Sequence, residues 1–197
     1  MDRIEYYFTP HSPWTYFGHQ RLARIAERHG ARIEMKPCDY GRVFPATGGL
    51  PLPKRAPARQ AYRLVELQRW REALDMELNL HPAHFPIDPT AASLAIIATL
   101  ATHGEQAGFD YAWRLMRAVW VEERNIADED TLAAVATEAG LDARRILDGR
   151  DEAMPVYERN TDDALAAGVF GAPWYTLRGE GYWGQDRLDL LDRALGR

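Results

Sequence analysis

The chain has a single cysteine, Cys38, among 197 residues. No disulfide can form within it, and there is no Cys-x-x-Cys redox pair; a reducing, cytoplasmic setting is expected. Basic residues are not in excess. With 24 Lys+Arg against 29 Asp+Glu the net charge is −5, which argues against a nucleic-acid partner. No apolar run approaches the roughly 18 residues needed to cross a bilayer, so no membrane partner is expected. The segment Met1–Phe8 carries acidic residues and runs straight into a strand pattern, unlike a signal peptide. Repeats and low-complexity tracts are also missing. What is present, 46% hydrophobic and 27% charged residues, is the make-up of a chain that buries a core.

Hydrophobic periodicity divides the chain into three blocks. Ile4–Thr9 is β-rich, and Pro10–Pro13 breaks it. From Pro13, the residues Tyr16, Phe17, Leu22, Ile25 and Ala26 recur at helical steps until Gly30. Arg32–Cys38 reads as a second strand, giving a βαβ unit with parallel neighbours. Phe44–Lys54 is rich in Gly and Pro and is expected to be a loop. Helical patterns follow. Ala58–Leu80 places Tyr62, Val65, Leu67, Trp70, Leu74 and Leu78 near one stripe; Pro89–His103, Phe109–Glu122, Asp130–Ala139, Ala143–Leu147 and Asp151–Ala167 come after it. Asp128, Asp130 and Asp142 suit N-caps or first turns, and Gly140 suits a C-cap. The last block has a strand at Trp174–Leu177, a turn at Arg178–Gly181, and a second strand from Tyr182-Trp183. A final helix opens at Gly184-Gln185-Asp186, with Leu188, Leu190, Leu191 and Leu195 on its inner side. The order βαβ, helices, ββα predicts an α/β thioredoxin fold from residues 1–57 and 168–197, with an inserted all-helical subdomain at 58–167.

Three short stretches could carry chemistry. Ser12 precedes Pro13 and is a natural N-cap, a role worth about 1 kcal/mol by itself. Its place at the carboxyl end of the first strand is where α/β folds bind ligands, and a helix N-terminus favours a thiolate. A hydroxyl there cannot exchange disulfides but can donate to the sulfur of a bound thiol. Pro173, in Gly171-Ala172-Pro173-Trp174, has two readings: it starts a strand, or as a cis proline it turns the Ala172 backbone toward the first helix, where it could pair with an extended peptide. In Trp183-Gly184-Gln185-Asp186, Asp186 is either a plain cap or a partner for an ammonium group, and free N–H groups there suit a carboxylate. His11 reads as a partly exposed loop residue. His81 and His84 lack further ligands for a metal. Cys38 reads as a small buried hydrophobe, and Trp70, Trp113 and Trp120 as core residues.

These stretches, with Tyr7-Phe8, Leu67-Gln68-Arg69-Trp70 and Phe170-Gly171-Ala172-Pro173, resemble the 2-hydroxychromene-2-carboxylate isomerases, a branch of the DsbA-like and kappa-class glutathione transferase group. The resemblance runs nearly end to end. It implies a homodimer with bound glutathione and Ser12 as the catalytic serine. It implies a glutathione site of Ser12, Ala172, Pro173, Trp183, Gly184, Gln185 and Asp186. The aromatic substrate pocket it implies matches Phe44, Pro53, Lys54, His84 and Phe85. Phe44 stands where the family has a basic residue, and Pro53-Lys54 where it has an Asn-Arg-like pair. Lys54 or Arg42 could then hold the substrate carboxylate. The implied reaction interconverts 2-hydroxychromene-2-carboxylate and trans-o-hydroxybenzylidenepyruvate in aromatic catabolism. Two alternatives share the fold: a kappa-like glutathione transferase or peroxidase, and a non-catalytic DsbA-like module that grips peptides.

Overall fold

Arg3–Phe8 forms strand β1 of a four-stranded sheet in the computed structural model, which describes residues 1–197. Helix α1 (Pro13–His29) follows, with Ser12 as its cap and Pro13 in its first turn; it ends at Gly30, whose φ of 59° suits a residue without Cβ. Strand β2 (Arg32–Pro37) lies parallel to β1, from Arg3 opposite Arg32 to Phe8 opposite Pro37. Then come α2 (Tyr40–Thr47), a 3-10 turn at Leu52–Lys54, α3 (Pro57–Ala73), α4 (Thr90–His103), α5 (Glu105–Trp120), α6 (Glu129–Glu138), α7 (Ala143–Asp148) and α8 (Arg150–Ala166). The hairpin β3 (Trp174–Leu177) and β4 (Glu180–Trp183), a 3-10 turn at Gln185–Arg187 and α9 (Leu188–Leu195) complete the chain. The sheet order is β2-β1-β3-β4, with β3 antiparallel to β1 and β4 antiparallel to β3.

The expected βαβ, helices, ββα order is the observed one. The inserted helices do not form a core of their own. A single cluster of 37 buried residues runs through β1, α1, α4, α5 and α9. Helix α4 is apolar all round, with Ala92–Thr99 entirely buried, as a helix at the centre of a core must be. Aromatic rings seal the seam between the two units. His19 stacks on Phe109 with centroids 3.7 Å apart, and Tyr16 stacks on Trp113 at 4.9 Å. A second tie is polar: Lys36 on β2 sends its ammonium to Asp163 on α8 at 2.7 Å.

Four sequence expectations are corrected. Phe44 and Pro45 lie in a helix, α2, where a loop was expected; Asp39 caps it by accepting from the Gly41 N–H at 2.7 Å. Helix α3 stops at Ala73, because Asp75 turns the chain with φ 51°, although apolar spacing continues to Leu78. Tyr62 and Val65, placed on its inner stripe, are exposed, and Leu67 carries the buried face. Leu190 is likewise exposed on α9, while Leu188, Leu191 and Leu195 face inward.

Candidate active site

The sheet register brings the predicted residues to one end of the molecule. Phe8 is the last residue of β1 and lies opposite Pro37, the last of β2. Trp174 begins β3 opposite Tyr7 of β1, and Trp183 ends β4 opposite Trp174. The Ser12 turn, the Ala172-Pro173 turn, the Gly184–Asp186 stretch and the start of α2 therefore all leave the sheet from the same edge.

Ser12 is nearly buried and well fixed. Its N–H donates to the Thr9 carbonyl at 3.1 Å, and its carbonyl accepts from the Tyr16 N–H at 3.0 Å. Its Oγ accepts from the Thr15 N–H at 3.2 Å, closing the cap. The hydroxyl proton is left without an acceptor in the chain, so it can donate to a ligand atom placed before the helix. His11 bonds Thr9 Oγ1 through Nδ1 at 2.8 Å. Its ring stands 6.0 Å from that of Phe85. Although it keeps a partly exposed edge, burial lowers its pKa to about 4, against the pull of Asp88, so the imidazole is neutral at pH 7. Burial pushes the Cys38 thiol up to about 12, consistent with an inert packing residue.

The Ala172–Pro173 peptide is cis, and neither the N–H nor the C=O of Ala172 has a partner within the chain. Tyr40 holds this turn from behind by donating its hydroxyl to the Gly171 carbonyl at 3.2 Å. Gly184 closes the other side, its N–H donating to the Pro173 carbonyl at 2.8 Å with φ 99°. Half-exposed Trp183 meets Phe170 edge-on at 4.8 Å, and Phe170 meets Trp174 at 5.0 Å. Gly171 lies so close under Trp183 that a Cβ there would fall 2.3 Å from its Nε1. Asp186 keeps an accessible carboxylate, bonded to Arg187 at 2.5 Å. The Gln185 side chain is buried, its Oε1 accepting from Arg21 Nη1 at 2.5 Å, and its backbone N–H is left without a partner in the chain.

The substrate-side residues scatter more. Phe44 lies against Tyr40 at 5.5 Å, with the Arg55 guanidinium 5.9 Å over its ring. Pro53 and Lys54 are exposed in their 3-10 turn, and His84 is exposed beside Phe85. Phe85 turns inward against Trp120 at 4.9 Å. Arg42, at the surface of α2, pairs with Asp162 of α8 at 2.8 Å. An open recess of about 670 Å3 between α5 and α6, lined by residues such as Asp110, Arg114 and Glu138, holds none of the predicted site residues. One basic residue escaped the sequence reading altogether. Arg63 on α3 stacks on Phe85 at 5.1 Å and on Trp120 at 5.8 Å. The signal was available: Arg63 lies one helical turn before buried Leu67, on the face that turns inward.

The family profile described as a DSBA-like thioredoxin domain matches residues 3–196. A 2-hydroxychromene-2-carboxylate isomerase of Pseudomonas sp. (strain C18) is 30% identical over 98% of this chain and 90% of its own length. The solved structure of a 2-hydroxychromene-2-carboxylate isomerase superposes with a TM-score of 0.85 at 28% identity, covering 99% of this chain and 95% of that one. Human glutathione S-transferase kappa 1 is 24% identical over 98% of this chain and 90% of its own.

Proposed function

The chain belongs to the DSBA-like thioredoxin-domain family, and we propose that it is a glutathione-dependent isomerase that interconverts 2-hydroxychromene-2-carboxylate and trans-o-hydroxybenzylidenepyruvate. The observation that carries this reading is the Ser12 turn. A hydroxyl caps α1, keeps its proton free, and stands at the same sheet edge as the unpaired backbone of Ala172.

The residues present fit the tripeptide. The free N–H and C=O of Ala172 suit antiparallel pairing with a short extended peptide. The accessible Asp186 carboxylate suits an ammonium group, and the N–H groups of Gln185 and Asp186, which bond nothing in the chain, suit the carboxylate beside it. Trp183 supplies an apolar wall. Bound glutathione would supply a thiolate nucleophile for the conjugated double bond, held by Ser12, Ala172 and Asp186. Ser12 donates a hydrogen bond to that sulfur, and the positive end of α1 favours its anionic form. His11, neutral in this setting, places no competing cation at the turn. Phe85 and Phe44 provide flat apolar surface for the substrate's ring.

The enzyme is read as a cytoplasmic homodimer acting in aromatic catabolism; exposed Tyr62 and Val65 on α3 offer apolar surface for self-association, to be tested by light scattering. The decisive experiment is calorimetric titration with glutathione, repeated with Ser12→Ala and Asp186→Ala, followed by an absorbance assay with 2-hydroxychromene-2-carboxylate. Saturable binding weakened by Asp186→Ala, with turnover weakened by Ser12→Ala, is the expected result. No binding at millimolar glutathione sinks the reading. The likeness to the kappa-class transferase favours a second reading, transfer of glutathione to an electrophile, and a stable conjugate among the products would select it.

A further inference from the structure

Five buried side-chain polar atoms find no partner in the chain: Thr15 Oγ1, Arg63 Nη2, Ser93 Oγ, Trp120 Nε1 and Tyr175 Oη. Three are hydroxyls, which can turn and can both give and accept. The other two, on Arg63 and Trp120, are donors only. They are also neighbours, since the Arg63 guanidinium lies 5.8 Å from the Trp120 ring. Buried donors without acceptors are rare in folded chains, and Arg63 is half-buried with one guanidinium nitrogen fully covered and no carboxylate beside it. Arg63 belongs to no ion pair, and the charge that acts on it is Arg55, of the same sign; burial and this repulsion lower its pKa to about 10. Asp88 acts on His11 and not on Arg63, and its Oδ1 accepts from Thr90 N–H at 2.9 Å and Thr90 Oγ1 at 2.7 Å.

The arrangement is complementary to one kind of ligand. An apolar occupant would leave both donors unsatisfied, whereas an anion with two acceptor oxygens would satisfy them. Guanidinium presents a planar fork that matches a carboxylate. Phe85, 5.1 Å from that guanidinium, is the same ring that stands 6.0 Å from His11, next to Ser12. The cation and the Ser12 turn thus flank one aromatic wall. We infer that Arg63, aided by the indole N–H of Trp120, forms a carboxylate-recognition site for the aromatic acid substrate and sets the preference for the acid over its neutral analogue. The choice of substrate rests on the isomerase reading above; the anion site itself does not.

The test uses the full chain without glutathione. Tryptophan fluorescence follows titration with trans-2-hydroxycinnamate, an aromatic carboxylate, and with its neutral amide. The wild type is expected to prefer the acid, and Arg63→Met to weaken acid binding by about 10- to 100-fold while leaving the amide unchanged. Arg63→Lys, which keeps the charge and loses the fork, is expected to fall between them. Wild-type affinity in Arg63→Met, equal loss for acid and amide, or no acid preference in the wild type overturns the assignment. If Arg63→Met fails to fold, Arg63→Lys and Trp120→Phe read the same acid-to-amide ratio. Glutathione titration of the same variants keeps the two conclusions apart. A chain that binds no glutathione yet selects the acid through Arg63 retains this site and loses the proposed reaction. In turnover, Arg63→Met is expected to raise KM more than it lowers kcat.

Discussion

The N–H of Gly184 donates to the carbonyl of Pro173 across 2.8 Å, joining the turn before β3 to the stretch after β4. This bond holds Ala172 and Asp186 as two sides of one cradle, with Trp183 between them. The predictions below probe that cradle, the Ser12 turn and the rings that seal the core.

Ser12 has two separable jobs. Ser12→Ala removes both the cap and the donated proton, and is expected to cost about 1 kcal/mol of stability. Its turnover should fall by about 10- to 100-fold, the worth of a hydrogen bond to an ionised sulfur. Ser12→Asp keeps a capping oxygen but places a negative charge where the thiolate must sit. It should melt like the wild type and be less active than Ser12→Ala. Wild-type turnover in Ser12→Ala would show that the hydroxyl proton is not used.

Gly171 sits beneath Trp183, and a Cβ would fall 2.3 Å from the indole nitrogen. Because Trp183 is half exposed, it can swing outward, so Gly171→Ala should fold normally. Glutathione binding is expected to weaken, with a shift in tryptophan emission. Calorimetry and fluorescence on one sample check both; unchanged affinity would remove Trp183 from the cradle.

Acid should unfold the chain through its buried imidazoles. Burial lowers His11 to about 4 and His19 to about 3, from an ordinary 6.5. His19 has a further reason to stay neutral. Its Nε2 faces the Phe109 carbonyl at 3.0 Å, so it carries the proton, and Nδ1 accepts from the Tyr6 hydroxyl at 3.1 Å. With folded pKa values below the unfolded one, the unfolded chain takes up protons first as pH falls. The stability is fully present above pH 6.5 and is lost between about 6.5 and 4 through His11, and on toward 3 through His19. Each ring contributes a slope of up to about 1.4 kcal/mol per pH unit. Urea melts between pH 7.5 and 4.5 measure this; a flat profile would show that neither ring is held neutral.

Cys38 is buried, with its thiol pushed to about 12. Native protein should not react with an aromatic disulfide reagent, and should do so stoichiometrically in denaturant. Oxidised glutathione should form no mixed disulfide with the native chain. Rapid labelling of the native state would contradict the burial of that sulfur.

Elements governed by local chemistry were legible in the sequence. Ser12-Pro13 and Gly30 delimit α1, and Trp174–Leu177 was read with its observed ends, because caps, proline and β-rich runs act over a few residues. Features decided by distant packing were not. Helix α2 forms despite Pro45 because Asp39 caps it and Tyr40 and Val43 bury against the sheet end. The apolar spacing of α3 puts Tyr62 and Val65 on its inner stripe and passes over Arg63, although Tyr62 and Val65 are exposed and Arg63 lies on the inward face. The Arg42–Asp162 pair joins residues far apart in sequence and has no local signal. The strand ends that carry Ala172, Trp183 and Asp186 were readable from local pattern; the meeting of Arg63, Phe85 and Trp120 from α3, the loop before α4 and α5 was not.

The chain leaves the sheet after Pro37 and re-enters it at Trp174, both at the edge where Ser12 stands. The whole helical unit is therefore attached to the sheet at two points of one end, and its outer helices can change without breaking a strand. The freedom has a boundary at the aromatic seam, where any replacement helical unit must still offer rings to His19 and Tyr16 in the places of Phe109 and Trp113.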